Sequence, residues 1–323
     1  MDSMKTVLVL ALDGVLDSTL AITLDTLRTA EGLRARAGKT TGVRVLVANH
    51  RKTVRTGGGM RLDADVTFAE AQELRPDWMV VPGMGVTTRE MMAARFAQKD
   101  AIAAMELLRQ TRTKNIGASC SSVFLLAESG LLAGRHATTT WWLASVFRAR
   151  YPEVKLDEAR MLVRDGRFTT AGSAFAQLDL ALAIVTDTLG PSIAHLCSRY
   201  LLIDQRPSQA RYMIPSHVRH VDPTVVAAEQ WIDANLANPV SITELASALA
   251  LSPKTLSRRI IAATGVSPVR FLQRRRVQQA AHLIETTSMT IDAIAATVGY
   301  QDGTALRKLI KREYGTTPAS LRP

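Results

Sequence analysis

One short pattern is written twice near the end of the chain, and it limits what this region can become. The first copy begins Ser241-Ile-Thr-Glu-Leu-Ala-Ser-Ala-Leu249 and turns at Ser252-Pro253. It continues through Leu256-Ser-Arg-Arg-Ile260 and closes on Gly265-Val-Ser-Pro268. The second begins Thr290-Ile-Asp-Ala-Ile-Ala-Ala-Thr-Val298 and passes Gly299-Tyr-Gln-Asp-Gly303. It continues through Leu306-Arg-Lys-Leu-Ile310 and closes on Gly315-Thr-Thr-Pro318. Ile242, Leu245, Ala246 and Leu249 fall at helical spacing, as do Ile291, Ile294, Ala295 and Val298. Each copy therefore opens on a helix with one apolar face. The copies are offset by 49 residues before the turn (242 to 291) and by 50 after it (265 to 315). The added residue belongs in the turn, where insertion is tolerated. Two helix-turn-helix units are predicted. A helix over 269–285 joins them, with Val277, Ala280, Ala281 and Ile284 as its apolar face.

Charge follows the same division. The net charge is +11 over 323 residues. Residues 206–323 hold 15 Lys and Arg against 8 Asp and Glu, whereas residues 1–205 hold 25 against 21. A basic excess concentrated on the duplicated region suits a polyanion such as DNA. Two cysteines, Cys120 and Cys197, exclude a disulfide framework and fit a reducing compartment. The apolar run Val7–Leu12 is cut by Asp13 and lacks a small-residue cleavage pattern, so it reads as a buried strand rather than a signal peptide. No stretch has the roughly 18 apolar residues of a spanning helix. A soluble cytoplasmic protein without membrane association is expected.

Before the duplicated region, strands alternate with helices. Thr6–Leu12, Val43–Ala48, Trp78–Val81 and Asn115–Ser119 read as strands, and Met161–Arg164 with Arg167–Thr170 as a hairpin around Asp165-Gly166. Helices are predicted over 18–37, 88–109, 121–129, 173–189 and 192–202, the first capped by Ser18. Gly57-Gly58-Gly59 reads as a turn, not a phosphate loop, because no Lys-Ser/Thr follows. Such alternation implies a parallel sheet covered on both faces. Residues 206–222 break periodicity repeatedly and read as a linker. The predicted organisation is thus an α/β domain over 1–205, the linker, and an all-α domain over 223–323.

A strand that ends at Cys120 and turns at once into a helix is a nucleophile-elbow arrangement, with the side chain at the ligand-binding edge of the sheet. The surrounding stretch, Gly117-Ala-Ser-Cys120-Ser-Ser-Val-Phe-Leu-Leu-Ala-Glu-Ser-Gly-Leu-Leu-Ala-Gly134-Arg-His-Ala-Thr-Thr-Thr140-Trp141, resembles the PfpI-type, class I glutamine amidotransferase-like fold. More closely, it resembles the sensor domain of GlxA-type regulators of the AraC/XylS family. That resemblance implies a flavodoxin-like first domain that senses a small molecule and dimerises, followed by an AraC-type DNA-binding domain. The second repeat is similar to the AraC signature, with Leu306 and Ile310 where aromatics are common and Lys308 where Arg is usual. The chain departs from the enzyme pattern at two places. Thr140 stands where a histidine commonly precedes the tryptophan, and the segment Asp13–Thr19 lacks the expected glutamate. A thiol with no base to take its proton is a poor nucleophile, so no catalytic residue is expected, and no metal or cofactor. The elbow instead suggests an effector pocket formed by Asp13, Gly14, Met84, Gly85, Cys120, Ser121, Thr140 and Trp141. A cysteine-dependent hydrolase or amidase fused to a DNA-binding domain is the alternative.

The second helix of each repeat should enter a major groove. Lys254, Thr255, Ser257 and Arg258 are the base-reading candidates of the first unit. Gln301, Asp302, Thr304 and Arg307 occupy the matching surface of the second, with Lys308 and Lys311 suited to phosphates. Arg274 and Arg275, early in the linking helix, are further candidates. The expected partners are double-stranded promoter or operator DNA, a small effector such as an amino acid or amine, a second copy of the chain, and RNA polymerase. The resemblance points to activation rather than repression.

Overall fold

A computed structural model describes residues 4–204, 206, 208–213, 222–238 and 240–322. Of the predicted linker, residues 207 and 214–221 lie outside the described residues. The chain divides into two compact units, Met1–Leu143 with Glu153–Pro207, and Ala144–Pro152 with Ser208–Pro323. The short segment Ala144–Pro152 thus groups with the second unit.

The first unit is built on β1 (Met4–Leu10), α1 (Asp17–Arg36), β2 (Gly42–Asn49), β3 (Thr53–Arg55), β4 (Arg61–Asp63), β5 (Val66–Thr67), α2 (Phe68–Gln72), β6 (Trp78–Val81), α3 (Arg89–Phe96), α4 (Lys99–Gln110), β7 (Asn115–Ser119) and α5 (Val123–Glu128). After β8 (His136–Ala137) come β9 (Lys155–Leu156), β10 (Leu162–Asp165), β11 (Phe168–Ala171), α7 (Gln177–Leu189) and α8 (Pro191–Tyr200), while α6 (Ala144–Arg150), between β8 and β9, groups with the second unit. The sheet order is β10-β11-β7-β6-β1-β2-β5, parallel except for β10 at one edge. Within it, β2-β1-β6-β7-β11 follows the flavodoxin-like order, whose switch point falls beside β1. Along β1, Val7 and Val9 join Leu20, Leu24 and Leu27 of α1 and Leu180 and Ile184 of α7 in one core. Leu8 and Leu10, equally buried, point to the other face. Burial on both faces explains why β1 reads as an unbroken apolar run.

Two helix boundaries differ from expectation. The predicted helix over 88–109 is two helices, parted at Ala97–Gln98. Buried Phe96 and Ala101 lie five residues apart rather than four, which marks the slip. No glycine or proline announces it. Arg95 closes the break on Asp100, a carboxylate only 10 % exposed. Ser18 caps nothing: α1 starts at Asp17 after Leu16, with no side-chain cap.

The second unit contains α9 (Pro223–Ala234), α10 (Ile242–Ala248), α11 (Pro253–Thr264), α12 (Pro268–Thr286), α13 (Ile291–Thr297) and α14 (Gly303–Tyr314). The repeat survives in the helix ends, although Ser267 makes a side-chain cap bond and Thr317 does not. Helices α11 and α14 are both 12 residues long and both end on a left-handed glycine, Gly265 and Gly315. Each is followed by an extended Ser267 or Thr317 and a proline that opens the next helix. This is the physical content of the Gly-x-Ser/Thr-Pro ending: stop, cap, restart. The turns also match at their left-handed positions, Ala250 and Gly299. The added residue of the second copy follows that position, before Gly303.

Two small cores result, one under each repeat. Arg276 of α12 ties them together. Its Nη2 donates to Asn238 O at 2.6 Å, before the first repeat, and its Nη1 donates to Gly299 O at 3.2 Å, in the second repeat's turn. The guanidinium lies 5.7 Å from the Tyr300 ring centre, and the residue is 9 % exposed. A side chain at Gly299 would collide with Leu236 O and approach Arg276 Nη2 to 2.8 Å. Removing Arg276 would strand two carbonyls and uncover a partly buried ring. Hydrogen bonds to charged groups contribute about 1.5–3 kcal/mol each. Arg276→Met should therefore cost about 3 kcal/mol and lower the second unit's calorimetric transition by roughly 10 °C or more. An unchanged transition in the full chain would show that Arg276 is dispensable.

Candidate functional site

The carboxyl edge of the sheet has an open part and a closed part. The closed part is the elbow. Cys120 takes φ +54° directly after β7, a left-handed conformation that costs about 1–3 kcal/mol for a non-glycine residue. Its N–H donates to Gly172 O at 2.6 Å, which holds the turn. Thr139 Oγ1 donates to Cys120 O, and Ser121 Oγ donates to Met84 O, both at 2.8 Å. Ser122 Oγ donates to Pro82 O at 2.6 Å. A Cβ on Gly83 would come within 2.9 Å of the Cys120 Cβ. Met84, Cys120, Ser121 and Thr140 are all at most 2 % exposed. Trp141 is buried and packs edge-on against Trp142, 5.2 Å between ring centres.

The structure thus brings Met84, Cys120, Ser121 and Thr140 together, but as packing rather than as the walls of an open pocket. Burial pushes the Cys120 thiol up to about 11, against lowering hydrogen bonds from Ser121 and Thr140. Neither partner can take its proton near neutral pH. His136, the histidine nearest in sequence, is turned to Asp165, with its Nδ1 3.1 Å from the carboxylate.

The open part is a cleft of about 550 Å³ between the Asp13–Gly14 turn and the β3–β4 ribbon. Asp13 and Gly14 are the only two of the expected pocket residues that line it. Gly85 is exposed, and its N–H donates to Gly14 O at 3.3 Å. Burial pushes the Asp13 carboxyl up, yet hydrogen bonds from Arg55 N–H, Arg51 and Asn49 outweigh it and hold it below its ordinary value. Four basic residues, Arg51, Lys52, Arg55 and Arg61, line the same cleft. Sequence reasoning missed all four, together with Asp17 and Asp100, which brace the loops around it. Their one sequence signal was a dense basic run beside three glycines. A second cleft of similar size lies under the amino ends of β6 and β7, the edge opposite the one where open α/β sheets bind ligands.

In the second unit, Leu256 and Ile260 of α11, and Leu306 and Ile310 of α14, are fully buried. The opposite faces are open. Lys254 and Arg258 are exposed, and Thr255 and Ser257 half-buried, on α11. Gln301, Thr304, Arg307, Lys308 and Lys311 are exposed at α14. Lys254, Arg258, Lys308 and Lys311 have no side-chain bond or ion pair among the described residues. Asp302 has a structural task instead: it caps α14, accepting from Thr304 N at 2.7 Å and Ala305 N at 3.1 Å.

Arg274 and Arg275 of α12 are ion-paired. Arg275, 11 % exposed, is paired with Glu229 at 3.3 Å and with Asp233 of α9. Arg274 Nε lies 3.5 Å from Glu313, a carboxylate 9 % exposed that also meets Arg270 and Arg312. Both side chains are thus engaged in ion pairs with neighbouring helices, and Glu313 is shared by three arginines.

The chain matches the DJ-1/PfpI family over residues 5–187 and a helix-turn-helix domain over residues 245–323. It is 27 % identical over 215 residues to the HTH-type transcriptional regulator GlxA of Rhizobium meliloti, covering 64 % of each chain. It is 24 % identical over 214 residues to the HTH-type transcriptional regulator GbdR of Pseudomonas aeruginosa, covering 65 % of this chain and 58 % of that one. The chain thus spans about six-tenths of the length of the curated relatives it matches. A THiJ/PfpI family protein from Pseudomonas syringae shares the fold, with TM-score 0.53 and 21 % identity over 77 % of this chain and 91 % of that one. Among the described residues, no helix is long and apolar enough to cross a membrane.

The closed elbow makes a chemical prediction. With a thiol at about 11, roughly a thousandth is ionised at pH 8. Cys120 in the native chain should resist iodoacetamide as well as Cys197 does, by mass spectrometry, and both should label once the chain is unfolded. Selective native labelling of Cys120 would mean that the elbow opens. In family terms, the chain belongs to the DJ-1/PfpI family and carries a helix-turn-helix domain after its α/β unit.

Proposed function

We propose that the chain is a sequence-specific DNA-binding transcriptional regulator whose α/β unit senses a small molecule and catalyses no reaction. The observation that carries this reading is the pair of 12-residue helices α11 and α14, each with a buried apolar face and an open basic one. On one rigid frame they suit two successive major grooves, about 34 Å apart. The first helix offers Arg258, which can bind guanine through two parallel hydrogen bonds. The second offers Lys308 and Lys311, point charges suited to phosphates. The names of the relatives, HTH-type transcriptional regulators, support a transcriptional output. The wider assembly we infer is a cytoplasmic homodimer on paired sites, activating through RNA polymerase. Support for a non-catalytic elbow is chemical: a closed thiol, held protonated, with Thr140 where a base would stand.

Two substitutions test the division of labour on a site selected from random-sequence DNA. Arg258→Ala should cost about 1–3 kcal/mol and relax preference at one base pair. Lys308→Ala should weaken all sequences alike and reduce the slope of log affinity against log salt by about one. A uniform loss for Arg258→Ala would make it a phosphate contact. No loss for either would remove these helices from the interface.

A further inference from the structure

The β3–β4 ribbon places two arginines directly opposite each other. Its antiparallel register pairs Thr53 with Asp63, Val54 with Leu62, and Arg55 with Arg61. Directly opposed residues share one face, with Cβ atoms about 5 Å apart, and like charges there are destabilising. Val54, fully buried, takes the other face into the core. Arg55 and Arg61 therefore point together into the cleft beside the Asp13–Gly14 turn.

The other cations of the cleft are already matched. Arg51 Nη2 lies 2.6 Å from Asp13 Oδ2, and Lys52 Nζ lies 2.7 Å from Glu70 Oε2. Neither the Arg55 nor the Arg61 guanidinium has an acidic or hydrogen-bonding partner among the described residues. The ribbon cannot easily relieve the repulsion by moving, because aspartates clamp it at two points. Asp13 accepts from Arg55 N at 2.9 Å. Asp17 accepts from Thr56 Oγ1 and, at 2.8 Å, from Gly58 N. Asp13 is itself anchored, its N–H donating to the Asp100 carboxylate at 3.0 Å. Two unpaired arginines are thus rooted opposite each other on a clamped ribbon and line one concave site at the ligand edge of the sheet.

We propose that this cleft binds a small polyanion, whose carboxylate or phosphoryl oxygens lie between the guanidinium groups of Arg55 and Arg61. Guanidinium forks match both groups in geometry and form charge-assisted hydrogen bonds with them. An anion would also replace the like-charge repulsion with two attractions. The proposal rests on the sensing role of the α/β unit and changes its expected chemistry. Family resemblance suggests an amino acid or amine, whereas the four basic residues of this cleft, against one carboxylate of Asp13, favour multiple negative charge. A site of about 550 Å³ suits a metabolite rather than a nucleic-acid strand, and DNA phosphate is the alternative that the test removes.

The test uses the full chain at constant ionic strength set with sodium chloride. Isothermal calorimetry and thermal shift are run with citrate, inorganic phosphate, glycine betaine and putrescine. Citrate or phosphate should bind and raise the melting temperature, and betaine and putrescine should not. The stronger of the two anions identifies carboxylate or phosphoryl as the preferred group. Arg55→Gln with Arg61→Gln should weaken that anion at least tenfold, while the ligand-free variant melts no lower than wild type. The melting result separates lost recognition from lost folding. The proposal is overturned if neither anion binds, if the double variant binds as wild type does, or if the cationic compounds bind equally well. It is also overturned if the double variant loses DNA affinity without any change in anion binding. If an anion binds through these arginines but leaves DNA affinity unchanged, the site stands and the sensing role falls.

Discussion

The buried guanidinium of Arg276 is the contact on which the second unit's geometry depends. It reaches from the linking helix to Asn238 O on one side and Gly299 O on the other. Without it, α12 would join the two small helical cores by its apolar stripe and by ion pairs at its surface, with no bond to the backbone of both repeats. Each core is too small to fix the angle of its neighbour by packing. A single planar cation that bonds both removes that freedom, and Gly299 leaves room for it. The pairs of Arg275 with Asp233 and Glu229, and of Glu313 with Arg270 and Arg274, fasten the remaining helices to the same axis. The rigidity of the two readers is thus electrostatic as much as hydrophobic.

Burial sorts the basic residues into structural and available ones. The arginines of α12 are committed to carboxylates and carbonyls. Lys254, Arg258, Lys308 and Lys311 stay open on the recognition helices. In the α/β unit the same sorting separates Arg51 and Lys52, which are paired, from Arg55 and Arg61, which are not. The elbow is the converse case. It keeps the strained backbone of a nucleophile at Cys120, yet its side chain is enclosed by hydroxyls and carbonyls instead of a base. Strain maintained without an accessible reactive group fits a frame inherited for shape.

Much of this was legible in the chain itself. The duplicated spacing, the turn that absorbs one extra residue and the Gly-x-Ser/Thr-Pro endings each correspond to a cap or a turn in the structure. Strand β6 lies where its apolar run predicted, because burial on both faces leaves an unbroken pattern. What stayed hidden was partnership. Spacing shows that Arg274, Arg275 and Arg276 are consecutive, but not that acidic residues some 40 positions away take up two of them. Nor does it show that Met84, Cys120, Ser121 and Thr140 are all buried at the elbow, since small and apolar residues line pockets and fill cores alike. The opposed arginines of the ribbon were missed because strands of three residues carry too little periodicity to reveal their register.

The proposed function requires α11 and α14 to be held at one fixed separation. Hydroxyl-radical footprinting of the full chain on a selected DNA site tests it most directly. Two protected stretches are expected on one face of the duplex, centred about one helical turn apart. Inserting five base pairs between them should abolish simultaneous protection. Protection of a single groove, or two protected stretches that tolerate the half-turn insertion, would contradict a rigid pair.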